Sequence, residues 1–111
     1  MKIFLPVKDD KGIESELDER FARASYFIIY DLEKDQIVKT EKNMFKDGEH
    51  GVGLKVAGFA VAENCNLSIG AKPGPKAEEI LYHAGVNSYI VNNGIVSDVI
   101  SKYKKGVLKL K

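Results

Sequence analysis

The chain has 111 residues, 44% of them hydrophobic and 30% charged, and its 17 basic and 16 acidic side chains leave a formal net charge of +1. That length supports one core without disulfides or a structural metal, so a single domain over residues 1–111 is expected. The near-neutral balance excludes a global pull toward nucleic acid or an anionic membrane, and the lone cysteine, Cys65, excludes an internal disulfide or a thiolate zinc site.

Lys2–Val7 is a compact apolar run that reads as a first strand, with Pro6 at its exit. The run is too short, and too broken by Pro6, for a signal peptide, and nothing approaches the ~20 apolar residues of a membrane span. A cytoplasmic protein is expected, since an unpaired thiol suits a reducing compartment. Asp9-Asp10-Lys11-Gly12 is a turn cluster, and Ile13–Ser25 has poor periodicity, reading as an irregular loop with one helical turn near Leu17–Phe21. Tyr26–Leu32 crowds aromatic and β-branched residues into a strand; Glu33–Gln36 is a polar turn, and Ile37–Glu41 returns antiparallel. After a loop over Lys42–Glu49, Gly51–Glu63 is apolar almost all round, as in a helix buried on most of its surface, with Gly58 placed where another backbone packs close.

Asn64–Ile69 reads as the next strand. Gly70, Pro73 and Gly74 then break regular structure, and Pro75 suits the first turn of a helix that buries Ala77, Ile80, Leu81 and Ala84 and ends at Gly85. Such a turn aims free N–H groups and the positive end of the helix dipole at whatever lies above it. With Lys72 and Lys76 adding charge, an anionic ligand is the natural occupant, the alternative being a plain strand-to-helix loop with solvated lysines. Tyr89–Val91 is a last strand, and Ile95–Tyr103 a helix whose carboxyl end carries Lys102, Lys104 and Lys105 against the dipole. The order β-β-β-α-β-α-β-α predicts an α/β fold: a five-stranded mixed sheet, helices on both faces, parallel crossovers in the second half. Ligands of such sheets lie beyond the carboxyl ends of the parallel strands, where the loops after Val7, Ile69 and Val91 would meet.

The usual enzyme constellations are absent: no Gly-x-Ser-x-Gly, Walker-type loop or Gly-x-Gly-x-x-Gly occurs. Asp9 and Asp10 with Asp31 or Glu33 suggest a two-metal nuclease, yet Lys2–Val7 lacks the in-strand carboxylate that such an enzyme needs. Cys65 reads as a small core thiol, and His83 as a helix-end residue. His50 stands in Glu49-His50-Gly51-Val52-Gly53, where flanking glycines let a backbone or ligand come close.

Four marks occur in order along nearly the whole chain: Glu19-Arg20-Phe21-Ala22-Arg23-Ala24-Ser25-Tyr26-Phe27; Asn43 followed by His50-Gly51-Val52-Gly53; Gly70 with Gly74-Pro75-Lys76-Ala77; and Gly85-Val86 with Tyr89. In these the chain resembles the dinitrogenase iron–molybdenum cofactor biosynthesis family, the small NifX-like proteins and the carboxyl-terminal domain of NifB. The resemblance implies a ribonuclease H-like architecture and a non-catalytic carrier for an iron–sulfur or iron–molybdenum-type cluster or its precursor, working with metalloenzyme maturation proteins as a monomer or homodimer. It implies His50 as the ligand carried over from the family; joined with the charges and turns read above, the expected cofactor-binding set is His50, Gly51, Gly53, Gly70, Lys72, Gly74, Pro75, Lys76 and Arg20, with His50 as metal ligand and Cys65 as a second across a dimer. The chain departs from the family pattern at Arg20, which replaces a histidine and is no ordinary iron ligand, at Ala22 for glycine, and at Ala71-Lys72-Pro73 for a more glycine-rich turn. Arg20 suits hydrogen bonding to an anion instead, so a metal-free anion or small-metabolite module is the alternative.

Overall fold

The computed structural model describes residues 1–108; the last three positions of the expected 1–111 unit lie outside the described residues. Five strands, β1 (Lys2–Val7), β2 (Tyr26–Asp31), β3 (Gln36–Lys42), β4 (Leu67–Gly70) and β5 (Asn87–Ile90), form one mixed sheet in the order β3-β2-β1-β4-β5. β1 pairs antiparallel with β2 and parallel with β4; β2–β3 is antiparallel and β4–β5 parallel. Pro6 has no N–H to donate, and the β1–β4 register, Ile3 with Leu67 and Phe4 with Ser68, ends before it.

β1 and β2 are continuous apolar runs because both faces of the sheet are covered. On one face Phe4, Phe27 and Ile29 pack under α1 (Val52–Ala62) and α2 (Pro75–His83). Ring centroids lie 5.0 Å apart for Phe4 and Phe27, and 5.7 Å apart for Phe4 and Phe21. On the other face Ile3, Leu5, Val7, Ile28 and Tyr30 meet Val96, Val99 and Ile100 of α3 (Val96–Lys104). Helices therefore lie on both faces, as expected. The β2–β3 turn is held by the Asp31 carboxylate, which accepts from the amides of Glu33 (2.9 Å) and Lys34 (3.2 Å). Asp35 in that turn accepts from the Tyr30 hydroxyl and the Lys104 ammonium, tying the hairpin to the end of α3.

Several expectations need correction. The helical turn near Leu17–Phe21 is replaced by a short 3-10 helix at Gly12–Glu14, and Leu17 instead bridges to Val7 and Glu16 to Ile95. These are long-range pairings that no local pattern announces. β4 begins at Leu67, not Asn64, because Asn64 takes a positive φ of 61° as the chain leaves α1. β5 spans Asn87–Ile90, not Tyr89–Val91. α1 buries only Val52, Val56, Ala57 and Ala60, leaving Leu54, Lys55 and Gly58 exposed. A Cβ added at Gly58 would meet nothing within 4 Å, so no backbone packs there. Ala84 is exposed at the end of α2, whereas Gly85 takes the expected left-handed conformation, φ 77°.

Candidate functional site

The strand directions put the amino ends of α1 and α2 at one end of the sheet, beyond the carboxyl ends of β1, β4 and β5, and side by side. A Cβ built on Gly53 would lie 3.6 Å from that of Ala77, so the two first turns touch. At α1, Gly51 holds φ 67° with open space around its α-carbon, so the left-handed backbone, and not crowding, asks for glycine. At α2, Gly74 is extended (φ −67°, ψ 167°) and a Cβ there would meet nothing within 4 Å. The fold places no demand for glycine at Gly74; its missing side chain leaves bare backbone over the helix end. Neither helix has a side-chain cap at its amino end. The first intrahelical amides to find carbonyls are those of Lys55, to Gly51 (3.1 Å), and Glu78, to Gly74 (2.8 Å), which leaves the amides of Val52, Gly53 and Leu54 on α1, and of Lys76 and Ala77 on α2 after Pro75, without intrahelical partners. The amino end of α3 is different: its Val96 amide donates to the Ser15 carbonyl at 2.9 Å.

His50, Lys72 and Lys76 are exposed around these two helix ends. Between β4 and α2, Gly70 at φ 138° has Pro6 and Leu17 side-chain atoms 3.5 and 3.8 Å from where a Cβ would sit, so conformation favours glycine there. Ala71 and Pro73 turn into the core while Lys72 between them faces out. Arg20 lies on the loop leaving β1 at the same end of the sheet, but its guanidinium is engaged. Its Nε and Nη2 donate to Asp18 Oδ1 and Oδ2, each at 3.1 Å, and its own amide reaches Oδ1 at 3.0 Å. Burial of Asp18 alone would raise its pKa. The hydrogen bonds from the Arg20 side chain and amide, with the arginine charge and the Ser25 amide, outweigh burial and hold the carboxyl below its ordinary value.

Cys65 stands apart. It follows the carboxyl end of α1, whose 11 residues separate it from His50 by roughly 16 Å of helix. Its side chain is 6% exposed, and burial, then the Glu63 charge, push its thiol up to about 12. The structure thus does not bring Cys65 to the rim that carries His50. Nor does it gather the acidic residues: Asp31 pairs with Lys2 at the start of β1, while Asp9 and Asp10 follow its end. Among the described residues no group of three or more His, Cys, Asp or Glu side chains is arranged to hold a metal ion.

Two residues beyond the expected set organise the rim. Asn43, only 6% exposed, donates from Nδ2 to the carbonyls of Ala22 and Ala24 at 2.8 Å and accepts from the Phe45 amide at 2.9 Å. With Arg23 donating to the Lys46 carbonyl at 2.7 Å, it clips the Arg20 loop to the loop carrying His50. Asp18, 1% exposed, anchors Arg20. The Asp-x-Arg spacing was the only sequence signal for this pair, and it is a weak one.

The chain is similar to several known proteins. An uncharacterized protein of Methanocaldococcus jannaschii is 29% identical over 111 residues, 98% of this chain and 90% of that protein. The NMR structure of a proposed NifB protein from Thermotoga, of the DUF35 family, is 33% identical, covers 98% of this chain and 91% of its own, and superposes with a TM-score of 0.83. The apo form of the orange protein from Desulfovibrio gigas shares the fold at a TM-score of 0.90 and 21% identity, over 99% of this chain and 92% of that one. The sequence model described as dinitrogenase iron-molybdenum cofactor matches residues 1–106, from β1 through the end of α3, and the chain belongs to that family.

Proposed function

We propose that the protein is a non-catalytic carrier for an anionic iron–sulfur cluster or cluster precursor, received at the adjoining amino ends of α1 and α2. The observation that carries this reading is that pair of uncapped helix ends in contact through Gly53 and Ala77, with glycine at Gly74 where the fold itself needs none. A polyanionic cargo suits outward amides, the two helix dipoles and the Lys72 and Lys76 ammonium groups. The rim offers one imidazole and no thiolate, so the cargo is held chiefly by hydrogen bonds and charge, with His50 as its single protein ligand. Gly51, Gly53, Gly70 and Pro75 shape the backbone that approaches it, and Arg20, fixed by Asp18, borders it. Release to metalloenzyme maturation proteins follows from such a hold, which few covalent bonds would oppose.

Anaerobic reconstitution with iron and sulfide, read by visible absorption and iron counting, tests this. Iron uptake by the wild type should exceed that of His50→Ala and of Lys76→Glu; equal uptake by wild type and His50→Ala refutes the reading. One observation favours the metal-free alternative, an anion or small-metabolite module: the lack of a three-ligand group among the described residues. Phosphate-bearing metabolites bound in equilibrium dialysis and lost on Lys76→Ala, with no iron retained by the wild type, would establish it instead.

A further inference from the structure

β5 is an edge strand, and among the described residues no strand pairs with its outer side. The amides of Asn87 and Val91 donate toward β4, to Asn66 (3.1 Å) and Gly70 (2.9 Å). By strand alternation the N–H and C=O groups of Ser88 and Ile90 point away from the sheet, a spacing that a further strand can pair. The opposite edge, β3, carries Lys39, Glu41 and Lys42, and its register shifts so that Val38 is left unpaired between the partners of Ile29 and Tyr30, a bulge and charges that discourage edge-to-edge pairing. β5, Asn87-Ser88-Tyr89-Ile90, carries no charge at all. Beside it runs a groove of about 560 Å³ lined by Pro75, Glu78, Glu79, Tyr82, Val86 and Ser88. Positions 75, 78, 79 and 82 form one face of α2 that lines this groove, and Tyr82 is 78% exposed. Neither Glu78 nor Glu79 has an ion-pair partner among the described residues.

We infer that this edge docks an extended, basic segment of a partner protein as a sixth strand. Its backbone pairs with Ser88 and Ile90, while alternate side chains lie over the groove. There lysines or arginines meet Glu78 and Glu79, and an apolar residue packs on Tyr82 and Val86. Charge decides against a second copy of this chain: a two-fold β5–β5 pairing would bring the Glu78 and Glu79 carboxylates toward their own equivalents. The inference does not depend on what the helix amino ends bind.

The probes are an eight-residue peptide, Lys-Thr-Val-Thr-Lys-Thr-Val-Thr, which sets lysine and valine on one face of a strand, and its counterpart with glutamate in place of lysine, titrated into the full chain and followed by amide NMR shifts. The basic peptide should shift Ser88, Ile90 and Tyr82 in a saturable way and the acidic one should not. Glu78→Lys with Glu79→Lys, both on the helix surface, should weaken the basic peptide by at least about tenfold and favour the acidic one. Ser88→Pro, which removes an outward-pointing amide together with the Ser88 hydroxyl, should weaken binding while α1, α2 and β1 keep their spectra. Shifts confined to the His50–Lys76 rim, or equal affinity of the charge-reversed variant, overturn the proposal. So does sedimentation as oligomers that the peptide fails to dissociate, which would give the edge to another copy of the chain.

Discussion

Replacing Asn43 by alanine tests whether the rim is held by the clip described above. The side chain makes three hydrogen bonds, two donated to the Ala22 and Ala24 carbonyls and one accepted from the Phe45 amide, and it is 6% exposed, so water cannot readily replace them. At a net ~1 kcal/mol per bond, with each partner left short of its hydrogen bond, Asn43→Ala should cost about 3 kcal/mol. Urea unfolding should show a lower midpoint at unchanged slope, and hydrogen exchange should quicken first in the 20–25 and 43–50 loops. Met44→Ala, next in the chain but 84% exposed, should change stability by less than ~0.5 kcal/mol. A loss under ~1 kcal/mol for Asn43→Ala would refute the account, because it would mean that the loops carry themselves. Asn43→Asp is informative as well: one oxygen keeps accepting from Phe45 but the other faces two carbonyls in place of the amide nitrogen, and the variant should do no better than alanine.

The remaining predictions bear on the same architecture. The Asp18 carboxyl is depressed in the folded state, so its contribution to stability is fully present above the ordinary carboxylate value of 3.8 and is lost as pH falls through the folded value. Unfolding in urea across a pH series should show the wild-type advantage over Asp18→Asn constant above about pH 5 and shrinking below about pH 4; a difference independent of pH contradicts the pairing. With its thiol buried and raised to about 12, Cys65 should resist a thiol reagent until the protein unfolds, and Cys65→Ala should leave iron uptake unchanged. Rapid labelling of the native protein would overturn that placement. Gly58→Ala, on an exposed helical position with open space, should raise stability by about 0.5–1 kcal/mol in a thermal melt; a destabilised variant would mean that a neighbour does pack there.

The sheet was largely legible because its signals are local. Tyr26–Asp31 is apolar throughout since both of its faces are covered, and Pro75 and Gly85 bracket α2 as fixed-φ and left-handed residues do. The 8–25 segment was not legible. Its structure rests on partners far along the chain, Leu17 on Val7 and Gly94, Glu16 on Ile95, Asp18 on the Pro6 carbonyl, and no short-range pattern encodes such pairings. The apolar composition of α1 overstated its burial, because Leu54 and the residues near it face away from both the sheet and α2. At the rim, glycine spacing exposed the backbone-built part, Gly51, Gly53, Gly70 and Gly74. Asn43 opens one of the four family marks, but what it and Asp18 tie together was hidden, since an aspartate and an asparagine in a loop look alike whether they face water or hold two segments together.

A positive end built from peptide groups behaves unlike one built from lysines. An amide has no proton to give up over the range in which proteins stay folded, and it cannot be acetylated or swapped for a neutral residue by one codon change. The pull that α1 and α2 exert at their shared amino ends therefore belongs to the backbone itself, and altering Lys72 or Lys76 can adjust it but not abolish it.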